Sequence, residues 1–261
     1  MSSLHYVAIY PCSFITHFFC DTAEDMNELH QLGVTEESRS KIEGVHPSFI
    51  KEGLLLARAQ SWSAFQQIRA QIKEGMTEVQ ARKLAVSVFA DLGCKKHWHQ
   101  PSIRFGDGTR LTFHKPLRDD YQLRPDDPVY MDLGPVWKES ETGIEYEGDV
   151  GDSFVFGVNP AADHCIQTAR SLFESAKQKW KAEKCTGKAL YEQIAFQAQT
   201  AGYQFVENVV GHRLGDFPHQ KYSKQELPHV SFYPTGYLWI LELQIIHPEL
   251  PIGAFYEDLL F

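Results

Sequence analysis

Val129-Tyr-Met-Asp-Leu-Gly134 and Gly148-Asp-Val-Gly-Asp-Ser-Phe-Val-Phe-Gly157 decide how this chain is read. Each is an apolar run that ends in glycine, as a strand would, yet the first carries Asp132 and the second Asp149 and Asp152. A carboxylate buried in so apolar a strand is costly unless it is paired or coordinated to a cation. Asp132 and Asp149 are therefore candidates for chemistry. Three later segments repeat the anomaly. His212 stands between glycines in Val209-Val-Gly-His-Arg-Leu-Gly215. Glu242 interrupts Tyr237-Leu-Trp-Ile-Leu-Glu-Leu-Gln-Ile-Ile246, and Glu257 lies in Ala254-Phe-Tyr-Glu-Asp-Leu-Leu-Phe261.

Outward from these strands the pattern is helical. Leu55, Trp62, Phe65, Ile68 and Ile72 recur at spacings of three, four and seven, which predicts a helix that Gly75 ends. Thr77-Glu-Val-Gln80 reads as a capping box opening a second helix, which stops at Gly93. Between Trp98 and Phe156 the period falls towards two, consistent with about three strands. Helical spacing returns from Ala161 to Trp180, and a further helix runs from Gly187 to Gly202 before strands take the rest. Two helices followed by strands, written twice, predict an α+β fold made of two related halves. Residues 1–45 read as a loosely attached N-terminal extension, with Met26 as an alternative start, and 46–261 as one domain.

The 261 residues suffice for one sizeable core, and 43% hydrophobic with 23% charged residues is ordinary for a globular protein. Lys and Arg number 25 against 34 Asp and Glu, a net charge of −9, which argues against a nucleic-acid partner. No apolar run is long enough to span a membrane. Five scattered cysteines without a CxxC pair read as reduced thiols of a cytoplasmic protein.

Four carboxylates and one imidazole could hold two divalent ions, and such a donor set favours Mn, Fe, Co or Zn. Two metals close together polarise a carbonyl, which amide hydrolysis requires. Lys95-Lys-His-Trp-His-Gln100 puts His97 and His99 on one strand face, where they could bind metal, or His99 could line a substrate cleft. Asp152 should point away from Asp149, because three positions along a strand reverse the face.

Asp-Leu-Gly, Gly-Asp before a hydrophobic strand, Gly-His-x-x-Gly, an acid in a penultimate strand and Glu-Asp fifteen residues on together resemble the methionine aminopeptidase, prolidase and creatinase superfamily. The resemblance covers roughly Ser48 to Phe261. It implies the pita-bread fold, with two pseudo-symmetric halves of a helix pair and antiparallel strands around a curved sheet. It also implies metal ligation by Asp132, Asp149, His212, Glu242 and Glu257, with Asp149 bridging. His114 and His219 match the superfamily's further histidines, which would steady the substrate carbonyl or carry a proton to the leaving amine. Glu242 would take the proton of the attacking water.

The departures concern the substrate pocket. Arg213 stands where glycine is usual, Leu243-Gln244 where Pro-Gly is, and Gly151-Asp152 where Arg-Thr is. No counterpart of the large N-terminal domain of prolidase and creatinase is expected. Arg213, near His212, is a candidate to bind a carboxylate or phosphate on the substrate, and His99 a candidate substrate contact. The expected function is dinuclear, metal-dependent hydrolysis of an amide bond, aminopeptidase-like, on a small peptide or acyl-amide. The alternatives are a pita-bread binding module, a creatinase-like small-molecule enzyme, and a mononuclear lyase or isomerase. A homodimer is allowed as the assembly.

Overall fold

The computed structural model describes residues 36–261. The expectations for residues 1–35, including the alternative start at Met26 and the thiols Cys12 and Cys20, lie outside the described residues. After a short α1 (Glu36–Ile42), α2 (Lys51–Gln71) and α3 (Glu78–Asp91) form a first helix pair. Thr77 caps α3 through the expected box: its hydroxyl accepts from Gln80 N at 3.2 Å, while its own N–H donates to Gln80 Oε1 at 3.0 Å. α4 (Pro160–Glu183) and α5 (Gly187–Thr200) form the second pair, capped by Asn159 and Thr186.

The strands are β1 (Lys96–His97), β2 (Ser102–Phe105), β3 (Asp127–Leu133), β4 (Pro135–Lys138), β5 (Glu145–Glu147), β6 (Val150–Phe156), β7 (Gln204–Phe205), β8 (Ile240–Ile246) and β9 (Gly253–Leu259). More strands precede Phe156 than the alternation suggests, because β4 and β5 are too brief to show a period. β1, β4 and β5 make a small sheet. The main sheet runs β2-β3-β6-β9-β8-β7, so each half contributes three strands and the halves meet at β6 and β9. One apolar core lies under each helix pair. In the second, α4 buries Ile166, Leu172, Phe173 and Trp180, each worth roughly 1.5–3 kcal/mol. This is the pita-bread arrangement, α+β with two pseudo-symmetric halves.

Small residues let α2 come close to the sheet. Ala57, Ser61 and Ala64 face inwards, whereas Leu55 and Trp62 of the expected stripe are only half-buried. The Ser61 hydroxyl accepts from Trp137 Nε1 at 2.8 Å. At the same point a Cβ on Gly148 would lie 2.1 Å from Ser61 Oγ and 2.8 Å from the Ala57 carbonyl oxygen. Any side chain at 148 would push the helix away and move Asp149, the next residue.

The segment 36–45, grouped by sequence with a loosely attached extension, is tied to the second half. The Glu43 carboxylate accepts from Thr235 N at 2.8 Å, Thr235 Oγ1 at 2.6 Å and Trp239 Nε1 at 2.7 Å.

Candidate metal centre

Strand register assembles most of the acids. Ser102 pairs with Asp132, Asp132 with Gly151, Gly151 with Glu257, and Glu257 with Glu242. Directly opposed residues in antiparallel strands point to the same face. One row across five strands therefore carries Asp132, Glu257 and Glu242 on one face, with Gly151 between Asp132 and Glu257. Asp149, two residues before Gly151, joins from the same face.

The opposite face is also acidic, but there Asp152 and Asp258, which flank the row, each have an arginine. Asp152 receives Arg170 of α4 at 2.7 and 3.0 Å, and Asp258 receives Arg58 of α2. Asp152 thus points away from Asp149, as alternation requires. On the centre's face, among the described residues, no Lys or Arg pairs with Asp132, Asp149, Glu242 or Glu257. What they meet is imidazole. His212 Nε2 lies 3.1 Å from Asp149 Oδ2, and His99 Nε2 lies 3.2 Å from Asp132 Oδ1 and 3.3 Å from Asp149 Oδ1. Asp149 therefore turns one oxygen to each histidine.

The electrostatics follow from this crowding. Burial raises Glu242 and Glu257 well above the usual carboxylate range, and neighbouring carboxylates add to it. Burial also lifts Asp132 to about 6 against the pull of His99. Asp149 goes the other way: burial would raise it, but hydrogen bonds from His212 and His99 hold it below the usual range. Burial would lower the two imidazoles, yet Asp132 and Asp149 hold His99 up to about 10, and Asp149 holds His212 up to about 9.

Residues with no sequence signal of their own orient the cluster. Tyr191 of α5 reaches beneath it, accepting from Gly211 N at 2.6 Å and donating to the Glu242 carbonyl at 2.7 Å. One phenol thus joins the His212 segment to β8. Trp98 donates its indole N–H to Asp149 Oδ2 at 3.0 Å. Its ring meets those of His99, His212 and His219 at centroid separations of 4.7, 4.9 and 5.2 Å. The dense His-Trp-His triplet was the only sequence hint of it.

His219 is buried and stacks on His212 with centroids 4.9 Å apart. Glu147 holds it twice, through Nδ1 at 2.5 Å and the backbone N–H at 3.1 Å. Among the described residues its Nε2 has no hydrogen-bond partner.

Three expectations need correction. His114 is exposed, with its ring 4.1 Å from that of Phe113 and no hydrogen bond to the cluster. The buried Arg104 explains this, because it pins the carbonyls of Thr112, Lys115 and Pro116 on either side of His114. Arg213 does not line a cleft. It is fully buried, and its guanidinium donates to the carbonyls of Gly44 and Leu214 and lies 5.3 Å from the Tyr222 ring. His97 and His99 do not share a strand face, since β1 ends at His97, whose ring packs 5.0 Å from Phe89. Only His99 reaches the acids.

The donor set fits divalent cations. Four buried carboxylates balance two doubly charged ions with both imidazoles neutral. Among the described residues the buried Glu257 Oε2 atom has no hydrogen-bond partner, a cost that a bound cation removes. His99, Asp132 and Asp149 converge as one ligand group, and Asp149, His212 and Glu257 as another.

A family model described as metallopeptidase family M24 matches residues 52–260. No curated protein matches the chain in sequence. Among solved structures, a dipeptidase from Pyrococcus horikoshii aligns with a TM-score of 0.65 at 19% identity, over 80% of this chain and 56% of its own. An X-Pro aminopeptidase from Thermotoga maritima aligns with a TM-score of 0.65 at 18% identity, over 86% of this chain and 61% of its own. A methionine aminopeptidase from Thermotoga maritima gives 0.60 at 15% identity, over 82% of this chain and 92% of its own. The likeness at these identities is one of fold. The chain spans little more than half the length of the first two proteins.

Proposed function

The chain belongs to metallopeptidase family M24, and from that premise we propose that it uses two divalent ions to hydrolyse an amide bond. The substrate class is the N-terminal residue of a small peptide, or a small acyl-amide. The observation that carries this reading is the asymmetry of the sheet. Asp152 and Asp258, which face the helices, are each answered by an arginine, while among the described residues the acids facing the centre have no Lys or Arg partner and Glu257 Oε2 has no hydrogen-bond partner. A protein that needed those acids only for packing would have no reason to leave them so.

Asp132, Asp149, His212, Glu242 and Glu257 would hold the ions, with Asp149 between them. Bound there, a divalent pair supplies Lewis acidity for both the carbonyl and the water. Glu242, kept protonatable by burial, accepts the proton of the attacking water. His219, held at Nδ1 by Glu147, presents Nε2 to stabilise the developing charge or pass a proton to the departing nitrogen. Trp98 walls the centre between the histidines and limits water there. The free thiols Cys94, Cys165 and Cys185 support a reducing, cytoplasmic setting.

The test is a screen of Mn- and Co-loaded protein against aminoacyl, Xaa-Pro and small acyl-amide substrates, with chelated protein as control. Metal-dependent amide cleavage is the expected result. A chain that binds no divalent metal, or cleaves none of these classes when loaded, would overturn the reading in favour of a binding module.

A further inference from the structure

Resting on the two-ion reading above, we propose that His99 is a sixth metal ligand, serving the ion on the Asp132 side of Asp149, so that each ion has one imidazole. The assignment comes from how the two histidines are wired. His212 Nδ1 faces the Arg213 carbonyl at 2.8 Å, and His99 Nδ1 faces the Gln100 carbonyl at 3.0 Å. A carbonyl only accepts, so in both rings Nδ1 carries the proton. In the neutral tautomer both Nε2 atoms are then bare lone pairs, and both are aimed at carboxylate oxygens. A proton on Nε2 holds these contacts in the metal-free protein, and a divalent cation bound to both groups takes that proton's place. Fixing Nδ1 on a backbone carbonyl is also how a metal-binding imidazole is oriented.

The spacing agrees. Donors at about 2.0–2.2 Å from one ion lie about 2.8–3.1 Å from each other in octahedral and about 3.3–3.6 Å in tetrahedral arrangement. His99 Nε2 stands 3.2 and 3.3 Å from one oxygen of Asp132 and one of Asp149, nearly midway. The neighbouring imidazole–carboxylate pair that needs no ion, His219 with Glu147, closes to 2.5 Å.

The backbone makes room for this ring. A Cβ on Gly134 would sit 2.3 Å from His99 Cδ2 and 2.4 Å from its Nε2, so any side chain there would drive the imidazole off the acids. Gly134 follows Asp132 by two residues, which places it on the same face. Adding nitrogen to an otherwise all-oxygen set shifts the preference of that ion from Mn towards Zn, Co or Fe.

Two measurements test the assignment. In X-ray absorption of the zinc-loaded protein, imidazole scattering should average one ring per ion, against one half if His212 is the sole imidazole. In calorimetric titration, His99→Gln should weaken zinc at one of two ions by at least about 100-fold, the upper limit of what losing an outer hydrogen-bonding partner costs. Manganese should weaken less, and the other ion should be retained. Two ions with half an imidazole each, or unchanged zinc affinity in the variant, would overturn this proposal and leave the hydrolase reading standing. Failure of the unaltered protein to bind divalent metal would overturn both. The absorption measurement needs no variant, so a misfolded His99→Gln protein does not remove the test.

Discussion

Glu242 on β8 and Glu257 on β9 are register partners, and their carboxyls are buried side by side at 5% and 2% exposure. Like charges directly opposed in a sheet are destabilising, and burial makes it worse. The fold tolerates the pair only by protonation or by a cation. That relationship makes pH and metal interchangeable variables for this protein.

Without metal, stability should fall as pH rises. Asp132, raised to about 6, favours the fold below its ordinary 3.8 and loses that contribution as pH climbs through 6. Glu242 and Glu257, also raised, act in the same sense. His99 and His212, raised to about 10 and about 9, stabilise fully below 6.5 and lose that as pH passes through those values. Asp149 alone opposes, losing its contribution as pH falls, below the range concerned. Thermal melts in chelator from pH 5 to pH 9 should therefore show a declining Tm, and saturating Zn or Mn should flatten or reverse it, because ions displace protons. Equal slopes with and without metal would contradict the picture.

Removing the Tyr191 hydroxyl should loosen both sides of the centre. Tyr191→Phe leaves the buried Gly211 N–H and Glu242 carbonyl without this partner. The cost should be about 1–3 kcal/mol in urea unfolding. Metal affinity should fall too, since the phenol links the His212 segment to the strand of Glu242. A stability loss with metal binding unaltered would make Tyr191 a packing residue only.

His219 should matter for turnover and not for metal. His219→Ala is expected to lower turnover by about 10²-fold with both ions retained, as for loss of a proton-transfer group. Glu147→Gln, which disturbs the Nδ1 contact, should act in the same direction and alter the pH profile of kcat. Ion loss measured by elemental analysis in either variant would move His219 among the ligands.

Arg213→Met should reduce stability and leave substrate preference alone. The guanidinium ties Gly44 to the His212 segment, and losing its charged hydrogen bonds should cost about 3 kcal/mol in chemical denaturation. Faster cleavage of neutral aminoacyl substrates by this variant would instead return Arg213 to the cleft.

The helix boundaries and the acid-bearing strands were readable from the chain because their causes are local. A capping box is satisfied within four residues, as Thr77 and Gln80 show. An acid inside an apolar run, such as Asp132 or Glu242, is anomalous in any fold, since its burial cost does not depend on what lies opposite. Spacing alone was a poorer guide to the histidines. His114 lies at a fitting distance before Asp132, yet Arg104 holds its loop with the ring outwards. His99 lies further away in sequence and reaches the acids because Gly134 leaves space for it.

From the sequence alone came the two-halved α+β architecture and the anomalous Asp132, Asp149, His212, Glu242 and Glu257, because hydrophobic period and the cost of buried charge act within a single strand or helix. That they share one centre was implied by the superfamily resemblance. Only the tertiary structure decided which side chains complete that centre. Trp98, Glu147 and Tyr191 belong to it through contacts across 51, 72 and 51 residues. Arg213 leaves it because its guanidinium finds the Gly44 carbonyl 169 residues away. A side chain's partner depends on strand register and on the room its neighbours leave, and neither exists until the two halves have packed.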